Sequence, residues 1–126
     1  MATPRQDQLI KFDVCLYKKD NISYDEFIKY ATEVYPPKAV PLMKKHGIVQ
    51  WAANEMGRPE WTVPDYDIVM SYWLRSVDDL RALTTDPEWD ELEKEAQEIT
   101  NMTIGHFVIG HQTIHLQGDV QNSTGA

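Results

Sequence analysis

One cysteine, Cys15, in 126 residues leaves no internal disulfide to draw and fits a reducing compartment. Basic charge is also scarce: Lys and Arg number 12 against 20 Asp and Glu, for a net charge of −8. Nucleic acid is gripped by clustered cations that displace counterions. The longest basic cluster here is Lys44-Lys45-His46, so neither nucleic acid nor an anionic membrane is an expected partner. No apolar run approaches the length of a membrane span. Met1 to Gln6 carries no apolar stretch of the secretory kind, and the expected location is the cytoplasm. Aromatic side chains, by contrast, are plentiful, with 4 Trp, 6 Tyr and 3 Phe. They suit a dense core or a pocket for flat apolar ligands.

The length is that of one domain. Residues 1–7 are polar, and residues 117–126 are rich in Gly, Asn, Ser and Gln, so both read as flexible tails around a folded domain at 8–116. Ile10, Phe12, Val14 and Leu16 alternate with Lys11, Asp13, Cys15 and Tyr17, the period of a strand. Ser23 with Glu26 makes a capping box. The helix that follows places Tyr24, Phe27, Ile28, Ala31, Val34 and Tyr35 on one face. Pro36-Pro37 is expected to interrupt it, with a short second piece over 38–45 ended by Gly47. Strands are predicted at 48–51 and 66–74, separated by a loop at 52–64 containing Gly57, Pro59 and Pro64. Ser76 caps the next helix, and Asp86-Pro87 restarts it. There Trp89, Leu92, Ala96 and Ile99 are expected inside, with Glu91, Glu93, Glu95 and Glu98 facing water. A long strand over 103–116 closes the domain.

The order β-α-β-β-α-β is the split βαβ pattern of the α+β, ferredoxin-like class. Helices cover one face of such a sheet. A second copy is the simplest cover for the other, which predicts a homodimer in the form of a dimeric α/β barrel.

Several segments occur in an order that resembles a known family. They are Tyr24-Asp25-Glu26-Phe27 through Thr32-Glu33-Val34-Tyr35-Pro36-Pro37, Leu42-Met43-Lys44-Lys45-His46-Gly47-Ile48, and Gly57-Arg58-Pro59-Glu60-Trp61-Thr62-Val63. Asp65-Tyr66-Asp67, Asp86-Pro87-Glu88-Trp89 and Gly110-His111 complete the set. The sequence resembles the EthD family of dimeric α/β-barrel proteins, in particular the fungal polyketide-pathway branch that includes atrochrysone-carboxylate decarboxylases. Many members carry a histidine where the first helix ends; Tyr35 stands there in this chain. The resemblance implies a homodimer with a pocket between sheet and helices, no cofactor or metal, and an aromatic, hydrophobic small-molecule substrate. The expected activity is that of a carbon–carbon lyase of polyketide secondary metabolism, a decarboxylase of an aromatic β-keto acid. Dehydratase or cyclase action on a related intermediate stands as the alternative, and beside both a non-catalytic small-molecule-binding barrel.

Loss of carbon dioxide leaves an enolate, which needs donors at its oxygen and a proton for its carbon. Dehydration needs a base for the α proton and an acid for the departing hydroxide. Histidine serves either scheme, because its pKa lies near neutrality. His111, in a strand row with Phe107, Ile109 and His115, is the first catalytic candidate. His46, at a helix C-terminus where a cation also complements the dipole, is the second. Tyr72, central in its strand, can donate to a ligand carbonyl. Asp13, mid-strand between Phe12 and Val14, is a carboxylate that burial would turn into a general acid. Each has a structural alternative in core packing, ion pairing or the dimer interface. Tyr35, Trp61, Arg58 and Phe107 are the expected substrate contacts, with Arg58 and Trp61 at the pocket mouth. His106 and His111 fall on opposite sheet faces, so no metal set is expected. Cys15 reads as a small buried hydrophobe.

Overall fold

The computed structural model describes residues 9–56 and 66–118. Period-two alternation forms β1 (Ile10–Lys18), which lies inside a four-stranded sheet of order β2-β3-β1-β4. Its neighbours are β3 (Ile68–Leu74) and β4 (Thr100–His111), both antiparallel to it, and β2 (Gln50–Glu55) pairs antiparallel with β3. This is the ferredoxin-like arrangement that the element order predicts. The register sets Phe12 opposite Tyr72 and Ile109, and Val14 opposite Met70 and Phe107. These residues therefore share one face, since cross-strand partners point the same way. Asp13, opposite Ser71 and Val108, belongs to the other face.

The helices begin where the sequence supplies acceptors for their first N–H groups. Ser23 Oγ accepts from the Glu26 amide at 3.1 Å ahead of α1 (Tyr24–Lys29), and Ser76 Oγ from the Asp78 amide at 3.0 Å ahead of α3 (Val77–Thr84). Asp86 Oδ1 accepts from the Glu88 amide at 2.9 Å, with Pro87 in the first position of α4 (Pro87–Ala96). All four helices lie on the Phe12 face. Phe27, Ile68, Leu74 and Leu83 are fully buried between the layers.

Three local expectations differ from the structure. The first strand after His46 starts at Gln50 and runs on to Glu55, so the chain is regular where a loop from residue 52 was expected. Its partner β3 zips those residues into the sheet, and pairing overrides the turn composition. The rest of that loop, with Arg58 and Trp61, lies outside the described residues, as do residues 1–8 and 119–126.

Secondly, Pro36-Pro37 does not interrupt the helix. The chain passes from α1 through a π-helical turn, Tyr30–Val34, straight into α2 (Tyr35–Lys45). Two prolines in the first turn of α2 offer no N–H to the carbonyls of Thr32 and Glu33, and their rings would crowd those carbonyls in a regular α-helix. Widening the turn relieves this: the Tyr35 amide reaches the Tyr30 carbonyl, five residues back. Thr32 Oγ1 donates to the Ile28 carbonyl at 2.8 Å, a bond that favours bending. Gly47 ends α2 with φ of 82°, a left-handed conformation suited to glycine.

Thirdly, β4 begins at Thr100 and ends at His111, earlier at both ends than expected.

Candidate active site

A cavity of about 270 Å3 lies between the sheet and the helices. Its floor comes from β1, β3 and β4 through Phe12, Val14, Leu16, Met70, Tyr72 and Phe107. Phe27, Tyr30, Ala31 and Tyr35 form one wall, Leu80 and Leu83 another, and Trp89, Asp90, Glu93 and Ala96 of α4 a third. Benzene occupies an apolar cavity of about 150 Å3, so this space admits two fused rings.

The π-helical turn decides what faces the cavity. Joining residues 30 and 35 by an i to i−5 bond brings the two tyrosines to the same side, with ring centroids 6.1 Å apart and the rings tilted by 51°. Tyr35 then meets Trp89 at 6.2 Å and Trp51 at 6.0 Å, while Trp51 meets Tyr72 at 6.3 Å. Phe12 continues the aromatic wall, 5.6 Å from Tyr72 and stacked on Phe107 at 5.9 Å.

The polar groups of this apolar space are phenols, carboxyls and the hydroxyls of Thr84 and Thr100. Tyr35 Oη donates to Glu93 Oε1 over 3.4 Å, a long contact of the kind that tightens when a ligand closes a site. Burial pushes the Glu93 carboxyl above the ordinary range and Asp90 adds to this, against the hydrogen bond from Tyr35. Burial also raises the Tyr35 phenol far beyond its usual value, with Tyr72, Glu93 and Tyr30 adding to it, so it stays a donor at any ordinary pH. Tyr72 is raised by burial and then by Glu93. The Trp51 indole N–H, buried and completing no hydrogen bond among the described residues, lies close enough to work slightly the other way on Tyr72, as does Tyr35. Tyr30 Oη donates to Glu95 Oε2 at 2.7 Å, and Lys38 Nζ holds the same carboxylate at 2.8 Å.

The sequence candidates divide cleanly. Tyr35, Tyr72 and Phe107 line the cavity together. His111 does not: it sits exposed at the last position of β4, opposite Ile10, two rungs beyond Phe107. His46 is outside as well, its Nε2 placed 2.7 Å from Asp86 Oδ2 beside Lys45 Nζ at 3.0 Å. That cluster ties the end of α2 to the cap of α4, and it holds the Asp86 carboxyl far below its usual range, through His46 first. Asp13 lies across the sheet from the cavity, accepting from Ser71 Oγ at 2.6 Å. Cys15 is buried, its thiol raised by burial and by Asp13. Among the described residues, no group of three or more His, Cys, Asp or Glu is arranged to hold a metal ion.

Two cavity residues escape a reading by composition. Glu93 was expected to face water among its neighbouring glutamates, yet it lines the cavity half-buried. The signal was its position: it falls four residues after Trp89 and three before Ala96, inside the apolar stripe. Tyr30, three residues after Phe27, is legible in the same way.

A family model described as the EthD domain matches residues 19–102. Dehydratase iacD of Pestalotiopsis fici is 27% identical over 132 residues, covering 93% of this chain and 96% of its own. The conidial pigment biosynthesis dehydratase EthD of Metarhizium robertsii is 26% identical over 126 residues, covering 84% and 87%. A solved structure from Bacteroides fragilis, described as a dimeric protein of unknown function with a ferredoxin-like fold, is similar with a TM-score of 0.56 at 19% identity, over 82% of this chain and 95% of that one. The matched span runs from α1 into β4 and includes Tyr30, Tyr35, Tyr72 and Glu93, and on that match the chain belongs to the EthD domain family.

Proposed function

We propose that this protein is a dehydratase that removes water from a hydroxylated, partly reduced bicyclic ketone of the aromatic polyketide kind, and that it works as a homodimer. The observation that carries the reading is Glu93, a carboxyl raised by burial on the wall of an apolar cavity and contacted by a phenol that stays protonated. The relatives that bear the name dehydratase support it.

The chemistry asks little beyond these groups. In a β-hydroxy ketone, ionised Glu93 takes the proton on the carbon next to the carbonyl. Tyr72 donates to the carbonyl oxygen as negative charge develops there, while Tyr35 keeps its O–H on Glu93. The electron pair then forms the carbon–carbon double bond and the β carbon–oxygen bond breaks. Glu93, now protonated, hands its proton to the departing hydroxide, so water leaves and no electrons are gained or lost. Burial raises the carboxyl, the direction that helps one group serve as base and then acid. Decarboxylation of a β-keto acid, the activity first expected from the resemblance, starts without a base and leaves this pair idle in its first step.

The test is incubation with 3-hydroxy-1-tetralone, which becomes 1-naphthol on losing water. Formation of 1-naphthol above the buffer rate, lost in Glu93→Gln, is the expected result. Carbon dioxide release from a tetralone β-keto acid, with no dehydration of the hydroxy ketone, would replace this reading by the decarboxylase one.

A further inference from the structure

We infer that Asp90 and Glu93 make the cavity selective against acids, so that its substrate arrives without a free carboxylate. This rests on the dehydratase reading and deepens it by naming the substrate class.

The two residues lie three apart on α4, a spacing that puts both on one helical face, and both line the cavity. Opposite them stand Phe12, Val14, Leu16 and Met70, which offer an entering charge no solvation. Among the described residues no lysine or arginine lines the cavity. Lys94 pairs with Asp90 at 3.3 Å, offsetting part of its charge, and with Glu91 at 3.5 Å from an exposed position. Lys38 is held on Glu95 at 2.9 and 2.8 Å, behind the Tyr30 ring.

A ligand carboxylate brought in here meets the half-buried Glu93 carboxyl across an apolar floor that screens poorly, while Asp90, exposed and paired with Lys94, adds a smaller repulsion at the rim. It enters only if it or Glu93 takes up a proton from solvent, and either costs affinity at neutral pH. A neutral hydroxyl meets the opposite situation. It donates to Glu93, and a ligand carbonyl accepts from Tyr72. Consequently the reaction that supplies this substrate must be one that has already removed its carboxyl group or masked it as an ester.

Calorimetric titration of the wild-type protein with three inert probes of one ring system tests this without reference to turnover. The probes are 2-naphthol, 2-naphthoate and (2-naphthyl)methylammonium at pH 7.5. A merely greasy pocket rejects both ions alike, whereas an acid-lined one rejects the anion alone. The expected result is that 2-naphthol binds and that the anion binds at least about tenfold more weakly than the cation, a factor equal to one ordinary charge interaction. In Glu93→Gln that gap narrows severalfold. Asp90→Asn, whose side chain is 64% exposed and therefore replaceable without disturbing the core, narrows it as well and serves if the first variant does not fold. Equal or tighter binding of 2-naphthoate overturns the inference, as does a gap that neither variant changes. Binding of no probe overturns it too. Dehydration of the hydroxy ketone, measured separately, stands or falls on its own.

Discussion

A carboxyl group set among Trp89, Leu92 and Ala96 is inexpensive when neutral and costly when ionised, because the apolar neighbours cannot replace lost water. Glu93 lives under that constraint, and the hydrogen bond from Tyr35 is what offsets it. The pH dependence follows. As a base Glu93 acts in its ionised form, so kcat/KM should rise with pH through a pKa above the ordinary carboxylate range. Glu93→Gln should lower kcat by about 100-fold or more, the usual weight of a general acid–base group, and abolish that rise. Tyr35→Phe removes the bond that favours the ionised form, so the rise should move to higher pH, while His111→Ala and His46→Ala leave the profile in place. A pH–rate series on the four variants checks all of this; a profile that follows His111 would transfer the base to that histidine. The contrast shows what sequence carries at this scale. Tyr72 and Tyr35 were visible because strand rows and helix stripes place them. Histidine was favoured on the chemistry of the residue type alone, which fixes a pKa but no position. Glu93 was hidden because a run of alternating glutamates resembles a solvent face, and only counting from Trp89 turns it inward.

Between α1 and α2 the chain spends a π-helical turn, a costlier geometry than a plain α-helix and one often found at functional sites. Here the missing donors of Pro36 and Pro37 bar a regular α-helix, packing against the sheet decides that the turn widens, and the consequence is that Tyr30 and Tyr35 lie on one side over the cavity. Replacing both prolines by Ala restores the N–H groups and lets the segment relax to a regular α-helix. The turn then rotates Tyr35 away from Glu93. The expected outcome is an unchanged or higher melting temperature, since Ala is the better helix former, together with a more than about tenfold loss of turnover, as for a misplaced group near the reacting atoms. Circular dichroism and the dehydration assay measure the two halves. Loss of stability without loss of turnover would strip the turn of any role in the site. A proline pair reads from sequence as a break, because the ordinary rule concerns α-helices. That the chain would widen instead depends on tertiary packing, with Phe27, Ala31 and Tyr35 all buried against the sheet. Elsewhere the ordinary rules sufficed: Ser23, Ser76 and Asp86 cap as their positions imply.

Among the described residues the sheet has one face under helices and one face that no helix covers, and that second face is not uniformly apolar. Its centre is a polar chain, with Asn54 Nδ2 reaching Ser71 Oγ at 3.3 Å and Ser71 reaching Asp13 at 2.6 Å. Beside it Trp73 Nε1 donates to Gln112 at 3.0 Å. Apolar exposure gathers instead on β4, at Met102, Ile104, Phe107, Val108 and Ile109. This is an edge strand with apolar side chains bare on both sides, the kind of surface that pairs with another chain. The need for a cover was legible from the helix count alone; that the need centres on an edge strand was not, because strand order emerges only on folding. Val108, opposite Asp13, lies in the row that faces away from the helices, while Phe107 reaches round to the cavity. A second copy seated on β4 would therefore bury Val108 and shelter the cavity mouth at the same time. Ile104→Lys with Val108→Lys places two cations at exposed positions of that strand without touching a cavity residue. Sedimentation at micromolar concentration should find the wild type as a dimer and the double variant as a folded monomer. Turnover should fall with dissociation, because Phe107, 64% exposed in the single subunit, would then open the cavity to water. A wild type that sediments as a monomer at full activity would confine the whole reaction to one subunit, and β4 would need another partner.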